Sequence, residues 1–269
     1  AEIHTINYEY EGQFLKLPCG TFEIDDIGCS GPPNVVTLKA ISIPVSNSAN
    51  QEKKTKAWEK VTFKNIANEI ATSNGMGIFI DIDNDHFYDR VDQNQESDLA
   101  FLKRLCKRLG FGIKISNLDI VIFDDKKYQD KEIVRVIKKG EPSLKTYEFN
   151  EGSLSSYKAA EVSYKDPETG ELESVTVNND AENKSGKTLK INQRVSNKAE
   201  AEELGKRSLQ EENKKAKTAK FVLAGDIKLV SKQTIEVEGW GKFDGKYIIN
   251  TATHTKSTSG YTVSIECSK

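Results

Sequence analysis

A helix signal with both of its ends marked, at residues 97–110, constrains this chain more than any other feature. Ser97 is a typical N-cap, because its hydroxyl can accept a hydrogen bond from a free N–H of the first turn. Gly110 suits the left-handed position at which helices often end. The face between them is apolar and comprises Leu99, Leu102, Leu105, Cys106 and Leu109. A helix over 98–109 with such a face has to be covered, and the pattern of 111–123 predicts a hairpin that can cover it.

A second helix signal precedes this one. Thr62 is the predicted N-cap of a helix that ends near residues 73–75 and whose apolar face comprises Ile66, Ala67, Ile70 and Ala71. Residues 78–80, with the sequence IFI, predict a short strand. Two helices laid on a small sheet make a compact α+β subdomain, which we place at residues 53–130.

Both flanks of this subdomain predict strands. Before it, residues 22–27 and 35–43 are strand-like around a turn at 30–33, and a polar loop or linker follows at 46–54. After it, a mostly charged helix is predicted from about Ser196 to Thr218, and a polar, mobile segment at 178–186. The predicted strands of this second flank are 156–164, 174–177, 220–224, 234–238, 245–254 and 261–267.

Composition excludes two classes of partner. Lys and Arg total 39 against 41 Asp and Glu, a net charge of −2, and the two signs are interspersed. Without a basic stripe that could neutralise phosphates, we expect no nucleic-acid partner. No apolar run is long enough to cross a bilayer, so we expect no membrane insertion by this chain. Hydrophobic residues make up 36% and charged residues 30%, which favours thin cores and much solvated or partner-facing surface.

One acidic segment resembles the start of a calcium-binding loop. Asp81, Asp83 and Asp85 alternate, as the ligands of such a loop do. The sixth position is His86 instead of glycine, and the twelfth is Asp92 instead of a bidentate glutamate. The segment therefore predicts an acidic hairpin turn and no metal site.

Histidines, tryptophans and carboxylates give no catalytic constellation. His4, His86 and His254 lie in separate segments, and we expect His254 to be a strand-end residue that meets a backbone partner. Trp58 and Trp240 are too isolated to predict a carbohydrate-stacking platform. No nucleophile elbow or phosphate-binding glycine loop is present, and no carboxylate pair lies in an apolar setting that would raise a pKa. We predict no catalytic residues, no cofactor-binding residues, no metal ligands and no cofactor, and therefore a protein that is not an enzyme.

Four cysteines are widely scattered, at Cys19, Cys29, Cys106 and Cys267. Their spacing fits neither a metal knuckle nor a dense disulfide framework. We interpret them as reduced, buried thiols that pack as small hydrophobic groups. Reduced thiols in turn favour synthesis in the cytoplasm.

Three blocks of sequence, taken in order, carry a family resemblance. The first includes GTFEIDDI at 20–27, SGPP at 30–33 and VTLKA at 36–40. The second is QESDLAFLKRL at 95–105 with LGF at 109–111, and the third is GWGKFDGKY at 239–247 with His254 and SGYTVSI at 259–265. In this order the blocks resemble the late control protein D family of tailed phages. That family includes tail baseplate hubs and is related to the amino-terminal part of type VI secretion spike proteins.

The resemblance implies a mainly β, α+β fold with two β-barrel-like domains of a tail hub and an α/β piece between them. Applied to this chain, it implies a first barrel at 1–52, the α+β subdomain at 53–130, and a second barrel at 131–269 with an inserted helix at about 196–218. The family's first barrel begins well upstream of Gly20, so we expect an incomplete first barrel here.

Turn residues of the third block fit such a barrel. Asp244 and Gly245 predict a tight hairpin turn, and Ser259 with Gly260 predicts the turn into the last strand. The glycines on either side of Trp240 permit a bulge or a close backbone approach.

The function implied by the resemblance is that of a structural baseplate hub in a contractile phage tail, a prophage or a phage-tail-like particle. Such a hub joins the tail tube to the central spike. It would be a homotrimer in contact with tube and spike proteins of the same particle, located in the virion or particle baseplate and assembled in the bacterial cytoplasm. Two alternatives remain at this stage. One is a tail-associated cell-wall hydrolase or glycan-binding module, and the other is a component of a type VI-like secretion spike.

Overall fold

The two predicted helices of the middle segment form with the predicted caps. In the computed structural model, α1 spans Phe63–Ser73 and α2 spans Asp98–Leu109. Thr62 Oγ1 accepts a hydrogen bond from the backbone N–H of Asn65 at 3.4 Å, and Ser97 Oγ accepts one from Ala100 at 3.3 Å. Gly110 ends α2 with a φ of 73°. The local capping signals are therefore sufficient to set these boundaries.

The structure describes residues 2–7, 13–42, 52–124, 132–152, 156–165, 170–179, 187–192, 195, 198–214 and 216–269. The chain divides into two units, Ala1–Lys126 and Lys127–Lys269, each of which is described by itself. Most of the predicted loop at 46–54 and of the predicted polar segment at 178–186 lies outside the described residues. Among the helices that the structure describes, none is both long and apolar enough to span a membrane.

Unit 1 contains two separate hairpins followed by a helix-bearing part. The hairpins consist of β1 (Glu2–Asn7) with β2 (Gln13–Pro18), and β3 (Glu23–Ser30) with β4 (Val35–Ile41). The helix-bearing part adds β5 (Lys54–Thr62), β6 (Ile78–Asp81), β7 (Phe87–Glu96), β8 (Phe111–Ser116) and β9 (Asp119–Asp124). In it β5 pairs antiparallel with β7, and β6, β9 and β8 form a three-stranded sheet in that order.

The core of unit 1 lies between these two sheets and the two helices. Every predicted apolar residue of α2 is buried, and Phe101, which the sequence pattern left out, is buried completely. Trp58 from β5 stacks on Phe101 with ring centroids 6.1 Å apart. β5 and β7 themselves were not predicted, because most of their side chains are polar and only isolated positions such as Trp58 and Val91 face the core.

Unit 2 is built around a six-stranded sheet with the order β10-β16-β17-β18-β15-β11. Its strands are β10 (Ile133–Lys138), β11 (Leu144–Glu151), β15 (Lys217–Ala224), β16 (Thr234–Glu238), β17 (Gly245–Ser257) and β18 (Gly260–Ser268). The two edge strands, β10 and β11, are connected only by residues 139–143. The last residue of β10 and the first of β11 are six positions apart and can lie at most about 22 Å from each other, whereas six flat strands would place their edges about 24 Å apart. The sheet is therefore curled.

A smaller layer in unit 2 pairs a helix with three strands. The strands β12 (Tyr157–Lys165), β13 (Leu172–Asn178) and β14 (Lys187–Asn192) form a sheet in the order β13-β12-β14. Helix α3 (Lys198–Lys214) packs on this sheet through Ala201, Leu204 and Gly205. A Cβ on Gly205 would lie 3.2 Å from Val162 and 3.1 Å from Val177, so the glycine permits the close approach of helix and sheet.

The mainly β fold predicted for the chain is confirmed, with curled sheets and, in the described residues, three α-helices. The two-barrel layout and the boundaries of the three predicted domains stay predictions. The helix predicted to reach Thr218 is shorter, because Lys217 and Thr218 belong to β15 and pair with β11.

Candidate assembly interface

The hairpin of β3 and β4, here called the ribbon (residues 23–41), is exposed along almost its whole length. Ten large hydrophobic side chains of the described residues are exposed, and six of them lie in the ribbon or directly before it. These six are Phe22, Ile24, Ile27, Val35, Val36 and Leu38. Such a concentration of exposed apolar side chains is typical of a surface that contacts another molecule.

Strand register gives the ribbon one apolar and one polar face. Ile27 pairs with Leu38, and Cys29 pairs with Val36 two residues further along, so these four side chains share a face. A β-bulge between Ile24 and Asp26 shifts the register by one residue, which places Ile24 and its partner Ala40 on the same apolar face. The opposite face carries the paired charges of Asp26 and Lys39, 2.9 Å apart, and the Gly28–Thr37 pair, and at its end lies Val35, which pairs with Ser30.

Both ends of the ribbon are anchored to the hairpin of β8 and β9, one at the end of β8 and the other at the turn. The backbone N–H of Thr21 donates to Asn117 Oδ1 at 3.1 Å, and Ser42 Oγ donates to the carbonyl of Ile115 at 3.5 Å. Gly20 has a φ of 103°, and a Cβ there would lie 2.9 Å from Asn117 Oδ1, so a glycine is required at this anchor. The base of the ribbon is thus fixed while its apolar face remains uncovered.

In unit 2, side chains bridge the two edges of the curled sheet. Arg135 on β10 donates to Asp226 at 2.7 Å, to Glu141 at 2.9 Å and to Ser143 Oγ at 2.7 Å. Ser143 directly precedes β11, and its carbonyl accepts from the N–H of Ala224 at 2.7 Å. One guanidinium therefore links the first edge strand to the start of the last one, where β10 and β11 share no ladder.

Aromatic rings fill the same unit next to β11. Trp240 makes edge contacts with Tyr147 and Phe149, whose centroids lie 5.2 and 5.4 Å away, and Phe149 stacks on Phe243 at 4.8 Å. Trp240 also approaches Phe221, which is completely buried. The indole of Trp240 therefore extends the core of the curled sheet and is not a free stacking platform.

The acidic segment at 81–85 is not the predicted hairpin turn. Asp81 ends β6, which pairs with β9, whereas the following strand β7 pairs with β5, so the segment connects two different sheets. It caps α1 instead. Asp85 Oδ1 accepts from the N–H of Lys64 at 3.0 Å, and the carbonyl of His86 accepts from Phe63 at 2.8 Å. These contacts satisfy free N–H groups of the first helical turn, a role that sequence spacing does not reveal.

His254 meets the predicted backbone partner, although within β17 and not at its end. Its Nε2 lies 3.0 Å from the carbonyl of Leu229, and its Nδ1 lies 2.6 Å from the hydroxyl of Tyr261. Because a carbonyl only accepts, Nε2 of the neutral ring carries the hydrogen and Nδ1 accepts from the tyrosine. His86 packs edge-on against Tyr88 at 4.5 Å, and His4 lies in β1.

The cysteines divide into two kinds. Cys106 and Cys267 are buried as predicted, and burial raises the pKa of each thiol to about 12. Cys19, directly after β2, and Cys29, in the ribbon, are exposed, which corrects the expectation that all four are buried. Across the described ranges, no three or more histidine, cysteine, aspartate or glutamate side chains gather as a metal site.

Carboxylates with a resolved shift have lowered pKa values, which does not favour a general acid. Burial opposes ionisation of Asp98, but hydrogen bonds from Gln93, Lys54 and Asn74 outweigh it and lower its pKa. Burial likewise opposes ionisation of Glu141, but its bonds to Ser143, Lys138 and Arg135 lower its pKa. Exposed Glu151 has a lowered pKa because of Lys242 and Lys217.

The loop around Trp240 differs from its prediction in one respect. Gly245 already belongs to β17 and pairs with Val237, so residues 239–244 make the connection and no tight turn forms at Asp244–Gly245. The predicted close approach is found at Gly239, where a Cβ would lie 3.0 Å from the Cβ of Lys139. The predicted turn into the last strand is confirmed, with Ser257 paired to Gly260.

A curated relative of this chain is a baseplate hub protein, in agreement with the family resemblance of the sequence blocks. The probable baseplate hub protein of Escherichia phage P2 is 32% identical over 111 residues, covering 38% of this chain. The match covers 26% of the phage P2 protein, so the chain spans about a quarter of that relative's length.

Solved structures share the fold at low sequence identity. A tail protein from Neisseria meningitidis is 10% identical with a TM-score of 0.75, covering 96% of this chain and 81% of that chain. An Escherichia coli protein described as a component of the type VI secretion system is 13% identical with a TM-score of 0.57, covering 95% of this chain and 60% of that chain.

A family model described as the phage tail baseplate hub (GPD) matches residues 44–260, well over half of the chain. The family resemblance is therefore confirmed, and the match includes the second block and most of the third, whereas the first block at residues 20–40 lies before it. This chain belongs to the phage tail baseplate hub (GPD) family.

Proposed function

We propose that this chain is a structural subunit of a baseplate hub that joins the tail tube to the central spike of a contractile phage tail or tail-like particle. The observation that carries the proposal is the hub-family match over residues 44–260. The family is structural and not enzymatic, which supports a role in geometry and attachment without catalysis. The exposed apolar ribbon supports a protein that works through contacts with other proteins.

The proposed assembly is a homotrimer in contact with tube and spike proteins of the same particle. It would form in the bacterial cytoplasm and reside in the baseplate of the finished particle. The curled sheet of unit 2 supports a second barrel domain at 131–269. The two hairpins that the structure describes before residue 52 support a first barrel-like domain at 1–52, because hairpins of two strands need further strands or a packing partner to be stable.

The hydrolase or glycan-binding alternative gains no support from the described residues. Trp240, which would stack on a sugar, is packed among other rings. The carboxylates with resolved shifts have lowered pKa values, whereas a glycosidase acid needs a raised one.

Reconstitution tests the proposed function. The tagged chain is co-expressed with the tube and spike proteins of its own particle, and the purified complex is viewed by electron microscopy. We expect both proteins to co-purify with the chain and the chain to lie between tube and spike. An unrelated protein with the same tag is the control. A chain that binds neither tube nor spike contradicts the proposal.

A further inference from the structure

We infer that the apolar face of the ribbon is buried against the ribbon of a neighbouring copy of this chain. The inference rests on the proposed homotrimer, in which the three equivalent ribbons would meet around the threefold axis, and it names the surface through which copies meet. The apolar face comprises Ile24, Ile27, Cys29, Val36, Leu38 and Ala40.

The exposed area is sufficient for a protein interface. Ile24, Ile27, Val36 and Leu38 are 56%, 66%, 65% and 60% exposed. Together with the neighbouring side chains they present on the order of 500 Å² of apolar surface, the size of patch that is often functional on a monomer. One partner contributes about 800 Å² to a standard interface, so the ribbon would form most of such a contact.

The counterpart of the face is found in the ribbon itself. An apolar face is stabilised when it meets another apolar face, because both lose contact with water. The other four exposed large hydrophobic residues of the described part of the chain lie on four strands of four different sheets. These are Phe79, Phe87, Tyr147 and Leu172. Only the ribbon offers several such side chains side by side in the described residues.

Charge also permits two identical ribbons to meet. The strand-paired residues of the apolar face include no carboxylate or amine, so packing these residues against those of another copy brings no like charges together. The charged pair of Asp26 and Lys39 lies on the opposite face, where it stays in water. Packing also gives the two-stranded ribbon the covering layer that an isolated hairpin lacks.

Adjacent residues of β4 provide a matched pair of variants. Val36 lies on the apolar face and Thr37 on the polar face, and both are exposed, so neither substitution disturbs the fold of a single copy. We expect the wild-type chain to sediment as a multimer and V36K to self-associate at least ~100-fold more weakly, because lysines of facing ribbons repel. T37K should sediment like the wild type. A monomeric wild type, or equal behaviour of V36K and T37K, overturns the inference.

A cross-link tests the contact directly. Cys29 lies on the apolar face, and Cys19 is the other exposed thiol in the described residues. In a Cys19→Ser background, a short bismaleimide should link two copies through Cys29, and the further change Cys29→Ser should abolish the linked species. Linking that persists without Cys29, or that fails in a multimer with Cys29 present, overturns the inference.

The two proposals fail differently. If V36K stays multimeric and still co-purifies with tube and spike proteins, the ribbon contact is wrong while the hub function stands. If the wild type associates through Cys29 but binds neither tube nor spike, the hub function is wrong while the ribbon contact stands.

Discussion

Asp98 Oδ2 accepts a hydrogen bond from Lys54 Nζ at 2.6 Å, and this pair ties the start of α2 to β5. The same carboxylate accepts from Asn74, the C-cap of α1, and from Gln93 of β7, each at 2.9 Å. Only 4% of the Asp98 side chain is exposed. One buried carboxylate therefore joins four elements of unit 1, and its negative charge lies at the positive end of the α2 dipole.

Removing this carboxylate should destabilise unit 1. In Asp98→Ala, Lys54, Asn74 and Gln93 lose their shared acceptor, so we expect the free energy of unfolding to fall by about 3 kcal/mol. Urea denaturation followed by circular dichroism measures the change. The control is Glu69→Ala, which breaks the exposed pair with Lys56 and should change stability by less than about 0.5 kcal/mol. Equal effects of the two variants would contradict the role of Asp98.

The stabilisation by Asp98 should depend on pH. Its pKa in the folded chain is below the ordinary 3.8, so the unfolded chain takes up the proton first as the pH falls. The stabilisation is complete above pH 3.8 and is lost as the pH drops through the lower folded pKa. Asp98→Asn keeps the shape but cannot ionise. Melting curves from pH 7 to pH 3 should show the stability gap between wild type and Asp98→Asn narrowing below pH 4, and a constant gap would count against this account.

Thiol reactivity should separate the cysteines into two pairs. In the folded but unassembled V36K chain, Cys19 and Cys29 are exposed and should react with maleimide, whereas Cys106 and Cys267 are buried with pKa values raised to about 12. Intact mass after brief labelling should therefore show two adducts, increasing to four in urea. Native labelling of Cys106 would mean that the α2 face is not packed as described.

The sequence predicts most reliably those features that depend on contacts between residues close together in the chain. Ser97 and Gly110 set the ends of α2 through contacts within a few residues, so the pattern alone finds them. The strand β5 escapes prediction because its side chains are mostly polar and exposed, and only packing against α2 shows why Trp58 is buried. For the ribbon, the sequence predicts the strands but not whether their apolar face is covered. Its alternating apolar residues predict a strand correctly, but no local signal tells whether that face is covered.

Contacts between residues that are far apart in the sequence account for the features that the sequence does not predict. The hydrogen bond from Arg135 to Asp226 joins residues 91 positions apart, and the contact of His254 with Leu229 depends on a loop that folds back on β17. Neither leaves a motif in the sequence. The acidic segment at 81–85 resembles a hairpin turn in sequence for the same reason, since its role is to cap a helix that precedes it in the chain.

The link between the sheet edges in unit 2 should contribute strongly to stability. Arg135→Ala leaves the half-buried Asp226 and Glu141 without their cation, so we expect a loss of about 3 kcal/mol in urea denaturation. Arg135→Lys should recover only part of it, because an ammonium cannot reproduce the forked donors. The control Lys138→Ala removes the exposed pair with Glu238 and should change stability by less than about 0.5 kcal/mol. Full recovery by lysine would indicate that charge alone matters.

Gly225, directly after β15, should be required for the packing of the Tyr261 ring. A Cβ on Gly225 would lie 1.9 Å from Cδ1 of the Tyr261 ring, and the N–H of Gly225 donates to the tyrosine carbonyl at 2.9 Å. Gly225→Ala therefore has to displace the ring and its 2.6 Å contact with His254, and we expect a loss of about 1–3 kcal/mol. Gly28→Ala is the control, since its Cβ would meet Thr37 only at an ordinary 3.8 Å.

A double variant separates the clash with the ring from general damage at Gly225. Tyr261→Ala removes the ring and is itself destabilising, but it also removes the atoms that an alanine at 225 would strike. Adding Gly225→Ala to Tyr261→Ala should therefore cost much less than adding it to the wild type, a coupling that urea denaturation of all four chains measures. If the two changes are additive, the ring contact is not the reason for the glycine, and the backbone bond between Gly225 and Tyr261 would have to account for it.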